Sequence, residues 1–129
     1  MDASGKANAV KAVPTLPVLD IEQAVEFYES KLGFIRVHAA EDYGIVQRND
    51  VEIHVWAANE PDTPGAEPHL AGSASCRVQV EGLRELLAEY RDRQVISPDK
   101  GVDRQPWGTE ELPVLDKDRN LITFYEQVG

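Results

Sequence analysis

The sequence predicts an α+β domain made of two paired strand-helix-strand-strand-strand modules. Three observations carry this. Ile21, Ala24, Val25, Tyr28 and Leu32 recur at helical spacing, between a capping Asp20 and a terminating Gly33. Short apolar stretches rich in β-branched residues flank that helix. A shift of 62 residues then lays the first unit on a second: Val18 falls on Val80, Ile21 on Leu83, Ala24 on Leu86, Val25 on Leu87 and Tyr28 on Tyr90. A helix with one apolar stripe must bury it on a sheet, which leaves the sheet's other face free to line a cleft.

Residues 1–8 are small and polar and are expected to form a disordered tail, with one domain over residues 9–129. Module 1 is placed at 9–57, a linker at 58–72 and module 2 at 73–129. Val10 to Val18 is β-branched but holds Pro14 and Pro17, which suits an edge strand. After the first helix, strands are expected at Phe34–Ala40, Tyr43–Gln47 and Val51–Ala57, the last two joined by Arg48-Asn49-Asp50. Asn59 to Pro68 is rich in proline and acid and has no periodicity. Ser75–Val80 opens the second unit, and its helix carries Leu83, Leu86, Leu87 and Tyr90. Val95-Ile96 is read as the start of a strand and Ser97–Gln105 as a loop. Gln105 to Glu126 then holds Trp107 between Pro106 and Gly108, a short strand at Leu112–Leu115, a polar turn at Asp116–Asn120 and an alternating strand from Leu121 to Tyr125.

The length allows one domain with a real core, and 42% hydrophobic residues exclude wholesale disorder. The formal charge of −10 opposes nucleic-acid binding and permits attraction of a cationic ligand. No apolar run approaches the roughly 20 residues of a membrane span, and the first residues show no apolar signal core. A single cysteine, Cys76, fits a reducing cytoplasm. It shares the apolar side of its strand with Val78 and Val80, so it reads as a small buried hydrophobe.

DIEQAVEFYESKLGF at Asp20–Phe34 and LDKDRNLITFYE at Leu115–Glu126 resemble the helix and C-terminal signatures of the vicinal oxygen chelate superfamily. That resemblance spans about residues 10 to 127 and implies that the paired modules form a curved mixed sheet lining a cleft. QPWG at Gln105–Gly108 and YGIVQRNDVEIHVW at Tyr43–Trp56 further resemble the bleomycin resistance proteins. The resemblance implies a non-catalytic homodimer that sequesters a cationic glycopeptide in grooves between subunits. The alternatives are a metal-dependent glyoxalase- or dioxygenase-like enzyme and a binding protein for another small molecule.

The enzymes of that superfamily hold a divalent metal, and the positions implied here are Val13, Ser75, Thr123 and a fourth near His54. Valine has no lone pair to give and neutral hydroxyls are poor ligands, so no metal and no cofactor are expected. Using these positions as markers of the cleft, alternation adds Glu52, His54 and Trp56 from one strand, and Ser75, Arg77 and Gln79 from another. Leu121, Thr123 and Tyr125 complete the lining. The ligand-binding set expected is Trp107, Tyr43, Trp56, His38, Glu52, His54, Arg77, Thr123 and Tyr125, with aromatics stacking on planar rings and carboxylates meeting positive groups. Arg77 would repel a cationic tail unless Glu52 or another acid neutralises it. His38 stands where the resemblance implies an aromatic.

Overall fold

The computed structural model describes residues 5–129. Of the tail expected at 1–8, Met1–Ser4 lie outside the described residues. Gly5–Asn8 are exposed and form neither helix nor strand. Module 1 runs β1 (Thr15–Val18), α1 (Ile21–Ser30), β2 (Ile35–Ala39), β3 (Tyr43–Arg48) and β4 (Val51–Ala57). Module 2 runs β5 (Ser75–Gln79), α2 (Leu83–Asp92), β6 (Asp103–Arg104), β7 (Thr109–Leu115) and β8 (Leu121–Gln127). One turn of 3-10 helix, Pro68–Leu70, interrupts the connection between them.

Each module is one mixed four-stranded sheet, ordered β1-β4-β3-β2 and β5-β8-β7-β6. The α+β class and the paired modules stand; among the described residues the strands form two mixed four-stranded sheets with no ladder joining them. The strand expected at Val95-Ile96 is absent. Those two residues are a bend whose side chains pack against the core, and the short β6 lies inside the segment read as a loop. β6 consists of two exposed charged residues, Asp103 and Arg104, a composition with no apolar alternation to reveal it.

Asp20 caps α1 by accepting from the Gln23 amide at 2.8 Å. Gly44 lets β3 approach that helix: a Cβ there would stand 2.8 Å from Val25 and 3.0 Å from Val55. The second helix lacks a capping side chain, because its cap is Gly82 at φ 84°. Glu126 supplies the missing acceptor from β8, taking the amides of Gly82 at 3.1 Å and Leu83 at 3.0 Å. These contacts hold its carboxyl below the ordinary range.

The two buried helix tyrosines of the repeat cross between modules. The Tyr28 hydroxyl donates to Asp116 at 2.9 Å, and the Tyr90 hydroxyl to the Leu32 carbonyl at 2.8 Å. Asp116 and Asn120 close the β7–β8 turn from inside. Asp116 Oδ1 accepts the amides of Asp118 and Asn120, and Asn120 Nδ2 donates to Pro17 O of β1 at 2.9 Å. Arg48 adds a two-pronged pair to Glu89 of α2, both contacts at 2.8 Å. The turn that carries the C-terminal signature is therefore a clamp between modules.

Candidate functional site

Strand register assigns the free face of each sheet. In module 1, Tyr43 stands opposite Trp56, Ile45 opposite His54 and Gln47 opposite Glu52, while Val46, Ile53 and Val55 face the helix and core. Glu52, His54 and Trp56 thus share a face, as alternation predicts. His38 reaches that face through a β-bulge. Arg36 pairs with Val46 and His38 with Ile45, so the extra residue Val37 reverses the alternation. Arg36 points to the helix side and forms ion pairs with Glu22 and Glu29 of α1. His38 stays exposed.

The polar groups of this face hold one another. The Tyr43 hydroxyl lies 2.6 Å from His54 Nδ1, with the rings edge to face at 5.3 Å. His54 Nε2 meets Glu52 Oε2, and Lys11 Nζ reaches Glu52 Oε1 at 3.0 Å. With Nε2–H donating to the carboxylate, Nδ1 of the neutral ring accepts from the tyrosine. His54 and Lys11 hold the Glu52 carboxyl below its ordinary value. Glu52, expected to meet a ligand's positive groups, is already matched within the chain. Trp56 is half-buried.

In module 2 the free face gathers Arg77 from β5, Thr123 and Tyr125 from β8, and Glu111 from β7. Arg77 is opposite Thr123, and Glu111 opposite Tyr125. Glu111 is the hub, with 7% exposure. Arg77 donates to both of its oxygens, at 2.7 and 3.2 Å. The Thr109 hydroxyl donates at 2.8 Å and Trp107 Nε1 at 3.1 Å. These four donors hold the carboxyl down to about 2, the Arg77 contact contributing most. The Arg77 guanidinium lies over the Tyr125 ring, 4.5 Å from its centroid. Trp107, on the turn before β7, is 63% exposed with only its ring nitrogen anchored, so it does not plug the core.

Glu111 was not foreseen, and it replaces Glu52 as the acid that neutralises Arg77. The apolar run Leu112–Leu115 marks only the second half of β7, which begins at Thr109. The same alternation carried back to Thr109 places Thr109, Glu111 and Pro113 on the face of Thr123 and Tyr125. Glu126 of β8 does not join this face, since it caps α2. Among the described residues no hydrogen bond, ion pair or ring contact joins the Tyr43–His54–Glu52 group to the Trp107–Glu111–Arg77 group. A concavity of about 700 Å³ contains neither group and lies at the module junction between Arg48, Asp50, Glu81, Glu85 and Glu89.

The family model of the Glyoxalase/Bleomycin resistance protein/Dioxygenase superfamily matches residues 11–124. The chain belongs to this superfamily. Bleomycin resistance proteins of Geobacillus stearothermophilus and Staphylococcus aureus are each 36% identical to it, over 92% of this chain and 98% of theirs. Among solved structures, a bleomycin-binding protein complexed with bleomycin is 26% identical at a TM-score of 0.73, covering 92% of this chain and 99% of that one. The bleomycin-binding protein of bleomycin-producing Streptomyces verticillus, complexed with copper(II)-bleomycin, has a TM-score of 0.76 at 23% identity. It covers 95% of this chain and 98% of that one, a likeness of fold.

The divalent metal held by enzymes of this superfamily does not fit the residues here. Val13 precedes β1 and has no donor, Ser75 and Thr123 offer neutral hydroxyls, and both ring nitrogens of His54 are engaged by Tyr43 and Glu52. Among the described residues no three His, Cys, Asp or Glu side chains converge as ligands. Cys76 pairs in register with buried Ile122, and burial pushes its thiol up to about 11, away from nucleophilic reactivity.

Proposed function

We propose that this protein confers resistance to bleomycin-type glycopeptides by binding and sequestering them, without chemistry on the drug. The observation that carries the reading is Trp107. Its indole is offered to solvent yet held at Nε1 by a buried carboxylate, beside Arg77 stacked on Tyr125, in a chain 36% identical to bleomycin resistance proteins. A large aromatic exposed on one side and anchored on the other is organised to stack on a planar ring at small entropic cost. Tyr43, Trp56, His38, His54, Glu52, Thr123 and Tyr125 are proposed to line the remainder of the groove. Protection by sequestration requires only tight binding and enough protein.

The two lining groups sit on separate sheets. A homodimer that sets module 1 of one chain against module 2 of another would bring them together and cover the edge strand containing Pro17. Its place of action is proposed to be the cytoplasm, in keeping with the lone thiol. Among the described residues no helix is long and apolar enough to cross a membrane. The net charge of −10 favours encounter with a cationic drug.

The test is a calorimetric titration with a bleomycin, combined with light scattering on a sizing column. Saturable binding at micromolar concentration is expected, with a mass twice the 14.3 kDa of the chain. No saturable binding refutes the function, and a 14.3 kDa species that still binds refutes the shared groove.

A further inference from the structure

We propose that the Arg77–Glu111 pair determines ligand specificity, acting as a charge-neutral planar platform beside Trp107 that admits a cationic drug where an uncompensated arginine would repel it. This rests on the proposed binding function and names the element that sets its preference for charge. One face of the guanidinium covers Tyr125 at 4.5 Å from the ring centroid, which leaves the opposite face for a ligand ring. The Arg77 side chain remains 49% exposed while that of Glu111 is 9% exposed, so the cation is what a ligand meets and the carboxylate is the hidden counter-charge. The pairing is two-pronged, at 2.7 and 3.2 Å, which fixes the orientation of the intrinsically planar guanidinium.

A stacked guanidinium offers a planar, weakly hydrated surface to a heteroaromatic ring much as an aromatic side chain does. Its charge would oppose a cation on the same ligand. Glu111 removes that opposition, and by accepting from Trp107 Nε1 it also sets the indole next to the platform. The ligand class that fits is a flat heteroaromatic carrying a nearby cationic tail. An anionic ligand gains less than it would from a bare arginine, because Glu111 already takes two of the five guanidinium N–H donors and cancels the charge.

The experiment compares two probes on the wild type, Glu111→Gln, Arg77→Gln and the double variant. The probes are a cationic bleomycin and a derivative of the same glycopeptide with the terminal cation removed. The quantity read is the ratio of their dissociation constants. Glu111→Gln exposes the Arg77 charge and should lower the preference for the cationic probe roughly tenfold. Arg77→Gln exposes the Glu111 charge and should raise that preference. The double variant should return the ratio to near wild type while binding both probes a few-fold more weakly, because the platform is lost. Circular dichroism and a thermal melt identify a variant that fails to fold. Arg77→Gln, altering the more exposed member, carries the test if Glu111→Gln does not fold. Single variants that shift the ratio in the same direction, or a ratio that Arg77→Gln leaves unchanged, overturn the proposal while leaving the binding function intact. A wild type that binds neither probe overturns both.

Discussion

Trp107→Ala tests the site most directly. At 63% exposure, an indole with a total surface of about 250 Å² leaves roughly 160 Å² open to a ligand. Stacking covers one of its two faces, about 80 Å², which contributes about 2 kcal/mol at 25 cal/mol per Å². Removing the side chain should therefore raise the Kd for a bleomycin about thirtyfold. Folding should change little, because the side chain lies outside the core and Glu111 retains its contacts with Arg77 and Thr109. Trp107→Phe keeps a ring but loses the Nε1–H donor, and should weaken binding only a few-fold. Isothermal titration measures both, with urea denaturation as the control on stability. If Trp107→Ala binds within threefold of the wild type while the wild type saturates normally, Trp107 is not a ligand contact. If Trp107→Ala also lowers stability by as much as 2 kcal/mol, the indole belongs to the fold and is not a free stacking surface.

Tyr28→Phe should cost about 1.5–2 kcal/mol, since it removes the hydroxyl that reaches Asp116 across the modules. Tyr90→Phe should cost about 1 kcal/mol, because the Leu32 carbonyl still accepts from Arg48 at 2.8 Å; equal losses in urea denaturation would contradict the clamp. Glu111 and Glu126 both have carboxyls held below their unfolded value of 4.5, Glu111 down to about 2. Their stabilisation is present above that unfolded value and is lost as pH falls through the folded values, so the denaturation midpoint should drop between pH 4.5 and 2. Glu126→Gln should flatten that dependence, and an unchanged slope would show that the α2 cap is not coupled to protonation. Protein purified without chelator should carry no stoichiometric zinc, nickel, manganese or iron. One equivalent per chain, lost in His54→Ala, would restore the enzymatic reading.

Much of the fold was legible because it is written in local periodicity. A capping Asp20 ahead of a helical apolar stripe and strands alternating around Ile53 and Val55 are short-range signals. The displacement of 62 residues between Tyr28 and Tyr90 is visible from letters, and both tyrosines proved to be buried cross-links. The free face of β4 was readable for the same reason, since alternation places Glu52, His54 and Trp56 together whatever lies beyond the sheet. β6 escaped notice because two exposed charged residues pair only where β7 presents an edge to them.

The sequence by itself determined the paired modules, the helix starts and the faces of β4, β5 and β8. Only the tertiary structure decided which charges meet. Arg77 and Glu111 are 34 residues apart and come together through β8, which lies between their strands. Tyr28 and Asp116 meet across 88 residues. His38 reached the free face only through the bulge at Val37, a one-residue change of register that letters do not mark. Periodicity is a property of neighbours in the chain, whereas a counter-charge is chosen by the packing of strands distant in sequence. The elements could therefore be read in advance, and the Arg77–Glu111 pair beside Trp107 could not.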